Sequence, residues 1–129
     1  YEFDRASPAY SVPTVQWLRG ELCTEVLVRA LRCVAEVQHS LRTRYGYSEE
    51  GEPVQWVMPM EEWVLSVEEH TVISVEQARQ LLDRELGTPH ELERGVLRLL
   101  VVHLEGTLLH LVVINVHHIA TDGVSLSAA

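Results

Sequence analysis

The longest apolar run in the chain, Leu108 to Val116, is interrupted by His110 and Asn115 and leads straight into His117-His118-Ile119-Ala120-Thr121-Asp122-Gly123. Imidazole is the side chain whose ordinary pKa, about 6.5, suits proton transfer near neutrality. A strand end that delivers two adjacent histidines into a glycine-containing loop can present one of them to a cleft. Neighbouring residues on a strand point to opposite faces, so His117 and His118 are expected to do different jobs, one facing the cleft and the other packed and hydrogen-bonded inside. Asp122 follows His118 by four residues, close enough to orient the loop through hydrogen bonds or an ion pair. A lone histidine at a strand end is more often a hydrogen-bonded structural residue; the case for chemistry rests on the pair and its surroundings. His103 and His110 precede the pair on the same hairpin and invite a metal reading with His117 and Asp122. Alternation sets His110 on the opposite face from His117, and no short-spaced zinc pattern is present, so no metal is expected.

The elements that must position these residues follow from periodicity. Val12 to Arg19 mixes β-branched and aromatic residues and ends at Gly20, which predicts a strand. Cys23, Val26, Leu27, Ala30, Leu31, Val34 and Val37 recur at helical spacing, with Glu25, Arg29, Arg32 and Glu36 opposite. Arg42 to Tyr47 and Pro53 to Met58 flank Ser48-Glu49-Glu50-Gly51 as a hairpin, and Trp63 to Glu68 forms a further short strand. Ser74-Val75-Glu76-Gln77 is a capping box that opens a second helix, with Ala78, Leu81, Leu82 and Leu86 on its apolar face and Gly87 and Pro89 at its end. Leu97 to Leu104 and Thr107 to Val116 form a hairpin around Glu105-Gly106. The second of these strands is apolar on both faces, the mark of a central strand covered on two sides. The predicted class is α+β, a sheet with helices on it. Trp17, Trp56 and Trp63 are assigned to core or hairpin packing.

With 129 residues, 47% of them hydrophobic, the chain is long enough for one domain with its own core. It shows no linker-like tract and no internal repeat. The formal charge of −9 comes from 19 acidic and 10 basic residues. That balance disfavours nucleic acid, which is bound by neutralising phosphates, and disfavours anionic membranes. A solvated acidic surface accounts for it. No run approaches a bilayer span, and the first residues lack the basic-then-apolar order of a signal peptide. The chain starts at Tyr1 rather than Met, so it is expected to be part of something longer. Cys23 and Cys33, with no CxxC, are expected to be reduced, buried small apolar residues of a cytoplasmic protein.

The pattern His-His, three residues, Asp-Gly after an apolar strand resembles that of condensation domains of nonribosomal peptide synthetases, members of the chloramphenicol-acetyltransferase-like superfamily. Other segments carry the same resemblance. Gly20-Glu21-Leu22, the helix with Leu27, Ala30 and Leu31, and Leu41-Arg42-Thr43 resemble the family's first helix and its Leu-Arg-Thr motif; Gly95-Val96-Leu97-Arg98 is similar to the lead-in to its active-site strand. The resemblance covers residues 10 to 127 and corresponds to the opening part of a complete condensation domain. The sequence departs from the family where Val37, Gln38 and His39 stand in place of Arg-His-Glu, and the opening Ser-x-Ala-Gln motif and the C-terminal half are absent.

The resemblance implies that residues 1–129 are the N-terminal part of a condensation domain, built on a mixed, mainly antiparallel sheet covered by helices. It implies that His118 is the catalytic or substrate-positioning residue, that His117 is its structural neighbour, and that Gly123 lets the loop turn close to substrate. Asp122 is the structural ion-pair partner, and Arg42 is the arginine expected to hold it, with Arg44 or an arginine from the missing half next in line. The implied reaction is amide-bond formation between aminoacyl or peptidyl thioesters carried on the phosphopantetheine arms of upstream and downstream carrier proteins, with no cofactor or metal in the domain itself. The missing C-terminal half is the other implied partner, and an exposed apolar patch is expected where it docks. Two further readings stand beside this one: a related acyltransferase that uses coenzyme A- or carrier-bound acyl groups, and a catalytically silent module that recruits carriers. A silent relative usually loses motif residues, and this motif is intact.

Overall fold

The computed structural model describes residues 11–120. Six strands and two helices follow in the order β1 (Ser11–Arg19), α1 (Thr24–Val37), a 3-10 turn (His39–Arg42), β2 (Thr43–Tyr47), β3 (Pro53–Val57), β4 (Ser66–Val72), α2 (Val75–Gly87), β5 (Leu97–Leu104) and β6 (Leu109–His117). Four strands form the main sheet in the order β1-β6-β5-β4, and β2 and β3 pair as a separate two-stranded sheet. β6 runs antiparallel to both neighbours, while β4 is parallel to β5. A parallel pair needs a crossover, and α2 supplies it. The sheet is therefore mixed and mainly antiparallel, as expected.

The apolar run of β6 produces its central place. Leu111, Val112 and Val113 are all buried, which requires cover on both faces. On one face Leu97, Leu99, Val101 and Val112 pack with Leu27, Val28, Leu31 and Ala35 of α1 and with Trp63 and Leu65. On the other, Leu100, Val102, Leu111 and Val113 pack with Val15 of β1 and with Ala78, Leu81 and Leu82 of α2. The turn between β5 and β6 contains Gly106 with φ 75°, a left-handed conformation that favours glycine. Pro13 lies on β1, an edge strand of the sheet, where a missing N–H is tolerated.

α2 begins with the anticipated cap: Ser74 Oγ accepts from the Gln77 N–H at 3.2 Å. The Gln77 side chain reaches back one residue further than a simple box, taking the Ile73 N–H at 2.9 Å. α1 differs from expectation. Its apolar stripe is wider than the strip of sheet beneath it, so Leu27, Val28, Leu31 and Ala35 turn inward while Val26, Ala30, Cys33, Val34 and Val37 are exposed. Cys23 and Cys33 are accordingly exposed thiols, not buried ones. Arg32, assigned to the solvent side, instead donates to the carbonyls of Trp63 and Met60 at 3.1 Å each and lies over the Trp63 ring. Of the three tryptophans only Trp63 is buried; Trp17 and Trp56 are exposed on β1 and β3. The strand expected at Trp63 to Glu68 begins at Ser66, because Trp63 and Leu65 are drawn into the core after a turn in which Glu62 and Trp63 bond the Pro59 carbonyl.

Candidate active site

β6 ends at His117, and a helical turn covers residues 118–120. His117 is fully buried. Its backbone N–H donates to the Val96 carbonyl at 2.8 Å, and its Nδ1 accepts from the Ile119 N–H at 3.0 Å. An accepting Nδ1 places the ring proton on Nε2. His118 is exposed. The two neighbours are thus divided, His117 held inside at the strand end and His118 exposed in the turn that follows. Asp122 and Gly123 lie outside the described residues.

Arg42 closes the 3-10 turn and is buried, with Nε donating to the Ala35 carbonyl at 2.8 Å and a terminal nitrogen donating to the Met58 carbonyl at 2.6 Å. It leads into the two-stranded sheet rather than to the edge of the main one, because β2 pairs only with β3. Arg44, the other candidate, has a buried Nε with no hydrogen-bond partner among the described residues.

Behind His117 lies a polar layer that inspection of the sequence missed. His90, in the loop between α2 and β5, is buried. Its Nε2 donates to the Asn115 carbonyl at 3.1 Å, its Nδ1 faces Ser11 Oγ at 3.3 Å, and its ring meets the His117 ring edge-on, centroids 5.7 Å apart. Burial is the main cause holding the His90 pKa down at about 4, with the nearby Arg98 and His117 acting in the same direction, so the ring is neutral at pH 7. Asn115 is fully buried and donates from Nδ2 to Glu85 at 2.8 Å; its Oδ1 has no partner among the described residues. The same Glu85 oxygen takes Arg98 Nε at 2.8 Å, and Arg98 also donates to the carbonyls of Pro89 and Thr88 at 2.9 and 2.7 Å. The available signal was Asn115 itself, a polar residue inside a strand buried on both faces. A cleft of about 200 Å³ opens beside this layer, lined in part by Ser66, Thr88, His90 and Arg94.

His103 and His110 stand on the α1 face, away from His117. They are partners across the β5–β6 ladder, with Nδ1 atoms 2.8 Å apart. His110 Nε2 donates to the Gly20 carbonyl at 2.8 Å, so its Nδ1 accepts and His103 Nδ1 donates. His103 Nε2 meets a Glu69 oxygen at 2.6 Å, and Thr24 Oγ1 donates to the same oxygen. His103 therefore bridges His110 and the Glu69 carboxyl across the sheet. The Thr24 hydroxyl, and then His103, hold the Glu69 carboxyl below its ordinary range. Among the described residues no group of three or more His, Cys, Asp or Glu is arranged to hold a metal ion.

A family model described as a condensation domain matches residues 1–128. Gramicidin S synthase 2 of Aneurinibacillus migulanus is 38% identical over 126 residues, which are 97% of this chain and 3% of that protein. Tyrocidine synthase 3 of Brevibacillus parabrevis is 34% identical over 128 residues, 98% of this chain and 2% of its own length. Among solved structures, the first condensation domain of the calcium-dependent antibiotic synthetase, in complex with a substrate analogue, superposes with a TM-score of 0.68 at 26% identity, covering 89% of this chain and 29% of that one. The starter condensation domain of rhizomide synthetase RzmA gives a TM-score of 0.70 at 19% identity, covering 88% and 28%. The chain thus spans a few hundredths of the curated relatives and under a third of the condensation-domain structures it matches.

Proposed function

The chain belongs to the condensation-domain family, and from that premise we propose that it supplies the histidine-bearing wall of a domain that forms an amide bond between two carrier-tethered thioesters. One observation carries the proposal: His118 is exposed at the end of a strand buried on both faces, beside a fully buried His117 that anchors the backbone. Residues 1–129 are then the N-terminal part of the domain, and the remainder forms the opposite wall.

The chemistry is acyl transfer. The acceptor's α-amine attacks the thioester carbonyl of the donor, the carbon–nitrogen bond forms, and the carrier thiol leaves. An α-amine with an ordinary pKa near 8 is already partly neutral at pH 7, so His118 has two tasks available. It can take the proton lost by the attacking nitrogen, which is worth about 10²–10⁴-fold, and it can hold the amine against the carbonyl while the tetrahedral intermediate forms. Asp122 and Gly123 shape the loop that follows, with Arg42 as the partner of Asp122. The substrates arrive on phosphopantetheine arms of upstream and downstream carrier domains, and the domain itself needs no metal or further cofactor. The reaction belongs to the cytoplasm, where such thiols stay reduced; among the described residues no helix is long and apolar enough to cross a membrane.

The test is His118→Ala in a complete condensation domain carrying this segment. Aminoacyl transfer between loaded carriers should fall by about 10²-fold or more, while circular dichroism shows the native fold. Turnover near that of the unaltered domain would remove His118 from the reaction.

A further inference from the structure

We propose that His90 is a positioning residue for this reaction: it holds the His117 ring edge-on and so sets the direction in which His118 leaves the end of β6. The proposal rests on His118 being the histidine that faces the reacting groups.

The argument begins with where the polar residues lie. Along the α2 face of the sheet one end buries apolar side chains, Ala78, Leu100, Val102, Leu111 and Val113, and keeps its charged groups, Glu68, His70 and Arg84, at the exposed rim. The other end, beneath His117, gathers Glu85, Arg98, Asn115 and His90, all wholly or largely buried. Burying such groups is costly unless each is hydrogen-bonded, and apolar residues fill the same face elsewhere. The expense is confined to the strand end that carries the two histidines.

The layer is also arranged to hold His90 still. Arg98 pins the two residues that precede it through the Thr88 and Pro89 carbonyls. Glu85 receives both Arg98 and Asn115, so the helix end, β5 and β6 share one carboxylate. His90 then bonds the Asn115 carbonyl on β6 and faces Ser11 at the start of β1, and Ser11 is itself the register partner of His117. The His90 ring therefore stands against His117 with little freedom, the two planes at 90°. His117 in turn is gripped by its backbone bond to Val96 and its ring bond to Ile119, one residue on either side of the peptide that carries His118. Motion of the His117 ring moves the Ile119 amide, and with it the turn from which His118 projects. A misplacement of about 1 Å at a reacting group can cost about 10²-fold in rate.

The experiment uses a complete condensation domain carrying this segment, with loaded donor and acceptor carriers. Three variants are compared: His90→Phe, which keeps a ring and removes both nitrogens; His90→Gln, which keeps a donor for the Asn115 carbonyl; and His118→Ala as the reference for the reacting histidine. His90→Phe should lower kcat by about 10- to 100-fold with the KM for each carrier unchanged, and His90→Gln should recover part of that loss. Nitrogen-15 spectra of the histidine rings should show His117 as a single Nε2–H tautomer in the unaltered domain and as a mixture in His90→Phe. Unaltered kcat in both His90 variants would overturn the proposal, as would a fall in kcat with the His117 signals unmoved. A loss of rate that tracks only the folded fraction in melting experiments would also overturn it, assigning His90 to the core. If His118→Ala retains turnover, the catalytic reading fails and takes His90's part in the reaction with it, while the His117 signals in His90→Phe still decide separately whether His90 orients its neighbour.

Discussion

A buried neutral imidazole is tolerated far more readily than its cation, and that asymmetry gives His90 a measurable signature. His90 sits among Arg98 from β5, His117 from β6 and Ser11 from β1, with Glu85 of α2 already engaged by Arg98 and Asn115. The unfolded chain protonates His90 near pH 6.5 and the folded chain only near pH 4. Between those values the unfolded state binds the extra proton, so stability falls as the pH is lowered through that window and is unaffected by this group above it. A displacement from 6.5 to about 4 corresponds to about 3 kcal/mol. Urea unfolding at pH 7 and pH 4.5 should show most of that loss in the unaltered protein and a much flatter response in His90→Phe; equal slopes would contradict it. Arg42 offers a second case at this scale. Its buried guanidinium already serves the Ala35 and Met58 carbonyls, and we propose that it also grips Asp122. Removing one partner of such a pair costs about 3–5 kcal/mol where the pair is buried and about 1 kcal/mol or less where it is exposed. Arg42→Ala and Asp122→Asn should each lower Tm, with the double substitution losing less than the sum. Additive losses would exclude direct pairing and turn attention to Arg44.

Elements are joined by contacts that periodicity does not reveal. The periodicity of α1 identified a helix correctly, yet it marked Val26, Val34 and Val37 as core although they are 60, 46 and 75% exposed. Spacing reports which residues share a stripe; the width of the surface beneath decides how much of the stripe is covered. The capping box of α2 was visible because both its partners lie within four residues. α1 has no such local cap, since Cys23 at its N-cap makes no side-chain bond. Its first turn is tied instead to a distant strand through Thr24 and Glu69, which is linked onward to His103, His110 and the Gly20 carbonyl. These contacts clamp the start of α1 to β4, β5 and β6. Because Glu69 is half exposed, each single substitution, Glu69→Ala or Thr24→Val, should cost about 1 kcal/mol or less. The two should couple in a double-mutant cycle, and amide exchange in the first turn of α1 should quicken in both. Unchanged exchange there would show that the contact does not anchor the helix.

For the molecule as a whole, the two-sided core followed from one feature of the sequence, the continuous apolar run of β6, and the histidine pair at its end located the candidate site. The polar layer did not follow, because it assembles Ser11, Glu85, His90, Arg98 and Asn115 from five separate segments. The same limit applies to what the outer surface does. One face of the sheet is closed by α2 and the other by α1, but α1 turns a second apolar stripe outward, formed by Val26, Ala30, Cys33, Val34 and Val37. Contiguous exposed apolar surface of this kind drives association, at about 25 cal/mol for each Å² removed from water. The net charge of −9 opposes close approach, and salt weakens that opposition by screening. The 129-residue chain should therefore self-associate in sedimentation experiments, more strongly at 0.5 M than at about 0.05 M salt, where the Debye length of roughly 10 Å or more lets like charges repel. Replacing Val34 and Val37 together by glutamate should leave it monomeric at both salt concentrations. Tm should hold or rise, because neither side chain contributes to the core. A double variant that still associates would place the sticky surface elsewhere, with the exposed Trp17 and Leu18 of β1 the next residues to change.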